Sequence, residues 1–317
     1  MTLRTRLVQR ARLLDVVRRF FAARDVLEVT TPVLSQAGNT DPNIDSFVTH
    51  YQGPQHGGPP TRWLRTSPEF FHKRLLAAGS GDLFEIACVF RDGECGPRHN
   101  PEFTLLEWYR IGFDHHRLMD EVEALVRSVA GAFGRAIEGC ERLSYQACYQ
   151  RYCGLDPLSA PIADLDTVLE PFAIDLAGLH RDDRLDLIRT HVIEAQLASG
   201  QMLFIYDFPA SQAALARISA TDACVAERFE LYLGNREIAN GYHELTDASE
   251  QRRRFEHDLA VRRSRGSSQP ALDEQLLLAL PQMPDCAGVA LGIERLHQWL
   301  VEAERIDEVL AFPFAQA

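Results

Sequence analysis

The feature that most restricts how this chain can fold is a cationic, glycine-bearing loop held between two runs of strand-like alternation. Phe84–Phe90 (FEIACVF) and Phe103–Tyr109 (FTLLEWY) alternate apolar with mixed residues and are rich in β-branched and aromatic side chains, which reads as two strands. The loop joining them, RDGECGPRHNPE, carries Gly93, Gly96 and Pro97, and Arg91, Arg98 and His99 bring positive charge to it. Guanidinium groups suit phosphate oxygens because they make charge-assisted, bidentate hydrogen bonds. A basic hairpin can equally be a solvated turn, so a functional reading needs matching residues elsewhere.

Two distant segments supply candidates. In Ala226–Leu245, Gly234-Asn235 forms a two-residue hairpin turn. With Leu233 and Arg236 flanking it, Glu230 pairs with Ala239 and Glu237 lies diagonally across, roughly 7–8 Å away on the same face. Two converging carboxylates repel unless neutralised, and hard oxygen ligands suit magnesium. The plainer reading pairs them with Arg228 and Arg236 as strand carboxylates. In Gly288–Arg295 a short apolar strand turns through Gly292 into an amphipathic run, Leu296–Ala303. Gly292 permits close backbone approach, and Arg295 can present a planar cation to a base or phosphate. Near the amino terminus Leu7, Ala11, Leu14, Val17 and Phe21 recur at helical spacing, and Leu27–Leu34 reads as a strand interrupted by Pro32.

These segments resemble motifs 2, 3 and 1 of the class II aminoacyl-tRNA synthetases. Within that class RHNPEFTLLEWY, RFELYLGNREIANGYHELTDASEQ and GVALGIERL are most similar to the catalytic domain of lysyl-tRNA synthetase. The resemblance covers nearly the whole chain. It implies that Arg91 holds the α-phosphate and the substrate carboxylate, with Asp92, Gly93 and Asn100 near ATP. Phe103 and Arg295 would sandwich adenine, Glu237, Ile238 and Gly292 line the nucleotide, and Glu230 and Glu237 bind Mg2+. Glu107, Tyr109 and Glu244 would receive a distal ammonium, Asn240 and Tyr242 would line the substrate, and Glu69, after Ser67 and Pro68, would take the other amine. Periodicity agrees in one respect: alternation places Phe103, Leu105, Glu107 and Tyr109 on one face. Asn240, Tyr242 and Glu244 alternate opposite to Glu237, so a bulge near Ala239–Gly241 is required if all face one way.

Two departures from the lysyl pattern refine the resemblance. Where the family has Arg-x-Glu, this chain has Arg91-Asp92-Gly93-Glu94, and Ser67 replaces a small apolar residue before Pro68-Glu69. A hydroxyl there adds a donor and acceptor where the amine is read, and such groups discriminate strongly. A lysyl-type site with Ser67 and no room before Pro32 for an anticodon-binding barrel is similar to the elongation factor P–(R)-β-lysine ligase family. That implies activation of (R)-β-lysine by ATP to an adenylate, then transfer to a lysine of elongation factor P. Catalysis would come from positioning and charge neutralisation by Arg91, Arg295 and Mg2+, without a covalent enzyme intermediate. The alternatives are a truncated enzyme activating α-lysine and a catalytically silent paralogue.

The 317 residues suffice for a substantial core. We expect one α+β domain over residues 1–317, with a mainly antiparallel sheet of six or seven strands flanked by helices. A helix spans Asp114–Phe133 with Leu118, Val122, Leu125 and Val129 inward. A mostly helical insertion follows at about residues 139–200, including a helix from Arg184 to Ala198 with Leu185, Ile188, Val192 and Ala195 inward. Gly53–Pro60 reads as a loop or mobile hairpin tip. A net charge of −12 argues softly against tRNA binding, which rests on cationic neutralisation of phosphates. Arg252, Arg253, Arg254, Arg262, Arg263 and Arg265 form a basic run, either a solvated helix face or a docking patch, with Asp247 and Glu250 as its capping pair. Seven cysteines without a C-x-x-C pair favour reduced thiols over a disulfide frame or a zinc site. His243 reads as a strand neighbour, and Lys73, the only lysine, reads as a consequence of base composition. The start is no secretory signal and nothing spans a membrane, so a cytoplasmic protein is expected, and the resemblance implies a homodimer joined through motif 1.

Overall fold

The computed structural model describes residues 2–54 and 58–317; the middle of the Gly53–Pro60 loop lies outside them. The chain divides into two compact units, Met1–Phe113 with Glu244–Ala317, and Asp114–His243.

The first unit opens with α1 (Leu3–Ala22), capped by Thr2. Its buried stripe is Leu13, Val17, Phe20 and Phe21, whereas Leu7 is 47% exposed. The expected stripe is therefore right near Val17 and Phe21 but rotated at its start, because the first turns keep their apolar residues outward. Phe21 stacks on Phe84 with centroids 4.5 Å apart and meets Trp108 edge-on at 5.3 Å. The motif 1 segment breaks into β1 (Leu27–Glu28) and β2 (Leu34–Ser35), since Pro32 has no N–H to carry a ladder through. β2 joins β3 (Val48–His50) and β4 (Thr61–Leu64) in a small antiparallel sheet ordered β2-β4-β3. Then come α2 (Glu69–Ala77), β5 (Leu83–Phe90) and β6 (Glu102–Ile111). β1 runs parallel to β5, and β5 pairs antiparallel with β6 from Leu83↔Tyr109 to Phe90↔Glu102.

The second unit begins with α3 (His115–Phe133), whose N-cap Asp114 accepts from the Arg117 backbone at 2.7 Å. Leu118, Val122, Leu125 and Val129 are fully buried, as their spacing requires. β7 (Gly139–Ser144), α4 (Tyr145–Cys153), α5 (Ile162–Leu169) and α6 (Arg181–Ile188) follow, then β8 (Gln201–Pro209), β9 (Val225–Leu233) and β10 (Arg236–His243). Their order is β7-β8-β9-β10, with only β7 and β8 parallel. α6 starts earlier than expected and runs into a π-helical turn, Arg189–Ile193. The π turn holds more residues than an α turn, so Ile193 is buried where Val192 was expected. Tyr145, Tyr149, Phe208 and Leu185 belong to this unit's core, and Tyr149 donates to the Leu185 carbonyl at 2.6 Å.

The chain then returns to the first unit with α7 (Ala248–Ser264), α8 (Glu274–Ala279), β11 (Cys286–Gly292) and α9 (Ile293–Leu300). β11 pairs antiparallel with β6, setting Gly288 opposite Tyr109 and Ala290 opposite Glu107. Asp247 caps α7 through Ser249 and Glu250 N–H groups, but the Glu250 side chain takes Arg253 and Arg254 instead of closing a capping box. The principal ladders use four strands in each unit, more than the six or seven expected; the parallel additions β1 and β7, which no hairpin turn announces, raise the count. All seven cysteines are free thiols, and no helix among the described residues is long and apolar enough to cross a membrane.

Candidate active site

In the first unit β6 supplies Glu107 and Tyr109, α2 supplies Glu69, and the residue after β10 supplies Glu244. Alternation along β6 brings the Tyr109 hydroxyl to Glu107 Oε1 at 3.0 Å. Ser67 donates to Glu107 Oε2 at 2.8 Å and accepts from the Glu69 N–H at 2.9 Å, so its hydroxyl ties the start of α2 to the β6 acid. Pro68 is the N-cap of that helix. Glu107 and Glu244 are buried. Gly288 is required here: a Cβ on it would lie 2.2 Å from Tyr109 Cε1 and 2.6 Å from Glu244 Oε1.

The surprise is Lys73. One helical turn after Glu69, its Nζ lies 2.7 Å from Glu69 Oε1 and 2.7 Å from Glu244 Oε2, with the side chain 1% exposed. The two acids read as amine receivers thus converge on the protein's own ammonium. Burial pushes Glu244 up to about 8, partly offset by Lys73 and reinforced by Glu69 and Glu107. Burial likewise raises Glu69 against the pull of Lys73. Burial would depress Lys73, but Glu244 and Glu69 outweigh it and hold its ammonium charged. Deeper in the same unit Glu85 contacts Arg65 and His72, each at 2.9 Å, and accepts from the Thr31 hydroxyl at 2.7 Å. Burial would lower His72, yet its bonds to Glu107 and Glu85 carry it above the ordinary histidine range.

The motif 2 loop sits in the same unit. Gly93 adopts φ +82°, a conformation glycine takes freely and glutamate does not, so the missing family glutamate reflects a different turn. Glu94 lies 3.5 Å from Arg91, and the Arg91 guanidinium lies over the Phe103 ring at 5.1 Å. Asp92 donates its N–H to the Asp45 carbonyl at 2.8 Å. Asn100 uses both ends of its amide within the protein, donating to the Glu102 carbonyl at 2.6 Å and accepting from the Phe314 N–H at 3.0 Å. Arg295 contacts His99 at 2.9 Å, and a Cβ on Gly292 would meet nothing nearer than the Arg295 side chain at 3.7 Å. Glu294, which the sequence did not single out, fastens α9 by contacts to Arg10 at 2.7 Å and the Thr104 N–H at 2.9 Å.

In the second unit the hairpin turns at Gly234 (φ +57°) as expected. Its register corrects the expected pairing: Glu230 lies opposite Asn240, not Ala239, because a bulge falls between Glu237 and Ala239. It lies just before the expected place and performs the same task, since one extra residue flips the alternation. Glu237, Asn240 and Tyr242 now stand opposite Tyr232, Glu230 and Arg228 respectively. Ile238, at the bulge, is buried and so could meet a ligand only through its backbone. Asn240 accepts from Arg228 at 3.3 Å and donates to the Tyr242 hydroxyl at 3.1 Å.

Glu230 is buried and engaged. Arg228 reaches Oε1 at 2.6 Å, while Arg189 and Tyr232 reach Oε2 at 2.8 and 2.5 Å. Burial would raise its pKa, but the two guanidinium groups hold it below the usual carboxylate range. Arg189 also contacts Asp186 at 2.9 Å and feels Glu237. The acids Glu230, Glu237 and Asp186 therefore already act on one cation, and the donor set fits a divalent ion at the place this guanidinium now serves. Elsewhere in the unit His115, Glu227 and His243 each offer a donor atom, all within 4.8 Å of one another; His243 ends β10, as its reading as a strand residue has it, and bonds Glu227.

Comparison with known proteins matches the family described as tRNA synthetases class II (D, K and N) over residues 1–316. A protein named elongation factor P–(R)-β-lysine ligase from Mannheimia succiniciproducens is 49% identical over 309 residues, 96% of this chain and 94% of that protein. Proteins of the same name from Pectobacterium atrosepticum and Yersinia enterocolitica are 46% and 45% identical, each over 98% of this chain and 95% of theirs.

Proposed function

The chain belongs to the class II tRNA synthetases of the D, K and N type, and from that premise we propose that it is an ATP-dependent ligase that activates (R)-β-lysine as its adenylate and transfers it to a lysine side chain of elongation factor P. The observation that carries the reading is the coincidence of 45–49% identity over nearly the whole chain to three proteins of that name with a cluster of buried carboxylates. Glu107, Tyr109 and Glu244 suit a distal ammonium, because several directional acceptors in a nearly dry pocket replace its hydration. Glu69, with Ser67 and Pro68 before it, suits the second amine.

Arg91 carries positive charge for the α-phosphate and the substrate carboxylate, and so favours the in-line geometry of attack. Phe103 and Arg295 offer an aromatic face and a planar cation to adenine. Asp92, Gly93 and Gly292 offer backbone, as does Ile238. Asn100 shapes the loop through its two amide bonds. Glu230 and Glu237 would hold Mg2+, which when bound neutralises charge on the phosphates; Asn240 and Tyr242 lie beside them on the strand. The substrate carboxylate attacks the α-phosphorus and pyrophosphate leaves, so the mixed anhydride forms without a protein nucleophile; the acceptor amine then attacks the carbonyl carbon, loses a proton and displaces AMP. Net charge −12 and a basic run engaged within the protein support a protein acceptor rather than tRNA. We place the reaction in the cytoplasm, in a homodimer.

The test is ATP–pyrophosphate exchange with Mg2+, comparing (R)-β-lysine, (S)-α-lysine and no amino acid. Preference for β-lysine is expected. Preference for α-lysine would shift the reading to a truncated lysyl-type enzyme, and no exchange with either would sink activation of lysine altogether.

A further inference from the structure

In the second unit, the sheet face opposite Glu230 carries a group of side chains that the reaction does not use, and we propose that His115, Glu227 and His243 form a binding site there for a zinc-type divalent ion. Glu227 and His243 extend the β9–β10 ladder one pair beyond Arg228↔Tyr242. Arg228 bonds Glu230, so alternation turns Glu227 and His243 to the other face. α3, which packs on β9 and β10, brings His115 to them from its first turn. One donor atom from each of the three lies within 4.8 Å of the others. That is near enough for small side-chain rotations to seat all three at the ~2 Å bonds of one ion. His115 and His243 are buried, so the group is built into the fold and not scattered over its surface.

His115 supplies an independent sign of a ligand. Its Nε2 lies 3.1 Å from the Asp207 carboxylate, while its Nδ1 is buried without a hydrogen-bond partner in a side chain 6% exposed. A neutral imidazole that gives its Nε2 proton to a carboxylate keeps a lone pair on Nδ1. A buried acceptor without a donor is costly, and a cation satisfies it. With Nε2 turned to Asp207, Nδ1 is the nitrogen available to an ion. A carboxylate behind a liganding histidine is the usual outer support of such centres, because it fixes the ring and raises its basicity. Asp207 takes that place from a φ of +58°, at the irregularity in β8 between Tyr206 and Phe208. Two imidazoles and one carboxylate select zinc-type ions over Mg2+, which prefers oxygen ligands, and leave room for water at the ion. Glu227 and Asp207 side chains that are 17% and 31% exposed give it a way in. The role is structural: the ion ties the first turn of α3 to the start of β9 and the end of β10.

Co2+ and Zn2+ themselves are the probes, added to the whole protein after treatment with a chelator. Co2+ should give the visible bands of a nitrogen–oxygen site without thiolate-to-metal charge transfer. Zn2+ should displace it, and a large excess of Mg2+ should not. His115→Gln and Glu227→Gln should each abolish the bands, and Asp207→Asn, which removes only the support behind His115, should weaken Co2+ binding by about 10–100-fold. No bands in wild type, bands that come only with thiolate charge transfer and so report the free cysteines, or bands that persist in both ligand variants would overturn the proposal. Binding to the folded state should also raise the melting temperature as Zn2+ increases. Should the ligand variants fail to fold, Asp207→Asn decides: a smaller rise with Zn2+ than in wild type upholds the site, and an equal rise rejects it.

Discussion

At the scale of single residues, the pocket was legible wherever an acid or aromatic stood in a motif, and illegible wherever a residue worked through its absence or through a neighbour. Glu107, Tyr109 and Glu244 could be read from motif and alternation. Gly288 could not be read as steric, because its demand comes from Tyr109 and Glu244, far away in the sequence. Gly288→Ala would push its methyl into the Tyr109 ring at 2.2 Å, and overpacking of this kind costs about 1–3 kcal/mol. We expect amino-acid kcat/KM to fall by about 10–100-fold with the ATP KM little changed; equal loss on both substrates in steady-state kinetics would indicate general distortion. Lys73 left one signal, its i+4 spacing from Glu69, but composition hid it. Ser67 was read as a substrate-facing hydroxyl, whereas both of its bonds go to Glu107 and the Glu69 N–H. Ser67→Ala should therefore loosen Glu107, costing about 1 kcal/mol of amino-acid binding and narrowing the preference for β- over α-lysine. Exchange assays with the two lysines check this, and an unaltered preference would remove Ser67 from substrate selection.

At the scale of elements, periodicity located the strands and α3, and failed where the period itself changes. The bulge at Ile238 brings Glu237 into phase with Asn240 and Tyr242, and parity alone could demand such a bulge without fixing its residue. The π turn Arg189–Ile193 carries no sequence mark comparable to a proline or glycine, yet it sets Arg189 on Glu230, Asp186 and the Tyr232 hydroxyl. π turns recur at functional sites, and this one sets a guanidinium on the acids we propose for Mg2+. Arg189→Met should remove that competitor, so the Mg2+ concentration giving half-maximal exchange should fall by about threefold or more, given the strong attraction between buried charges. A midpoint that rises would mean that Arg189 orders Glu230 for the metal rather than competing with it. In α7, Arg262 is buried and binds the Asp41 and Ser268 carbonyls, each at 2.7 Å, and the Asp45 carboxylate. Arg262→Met should lower stability by about 1–3 kcal/mol through the carbonyls it strands, visible as a lower melting temperature.

For the whole molecule, charge and exposed apolar surface bear on partners. The acidic balance was plain in composition, but whether the α7 arginines formed a free patch was not, because pairing depends on tertiary neighbours. Arg252 is paired to Glu274, Arg253 and Arg254 to Glu250, Arg262 is interior, and the exposed Arg263 and Arg265 bond Gln269 and Asn43, so each arginine of the run has a partner within the protein. Apolar exposure points elsewhere. Leu3, Leu7 and Val8 on α1 are 43%, 47% and 58% exposed, and Leu27, Leu34, Val48 and Tyr51 around the motif 1 segment are 55%, 50%, 48% and 51% exposed. Single exposed leucines are ordinary, and others such as Leu278 and Phe312 lie elsewhere, but more than half of the exposed large apolar side chains among the described residues fall within the first 51, the kind of concentration a second copy covers. The stripe of α1 was misplaced at its start because helical spacing alone cannot tell which apolar residues face the protein's own core. Sedimentation should accordingly give twice the chain mass of 35.7 kDa, and Leu7→Glu combined with Leu34→Glu should shift the protein toward monomer while leaving far-ultraviolet dichroism unchanged. A wild-type protein sedimenting as monomer at micromolar concentration would reject the dimer, and a double variant that stays dimeric would move the interface away from this face.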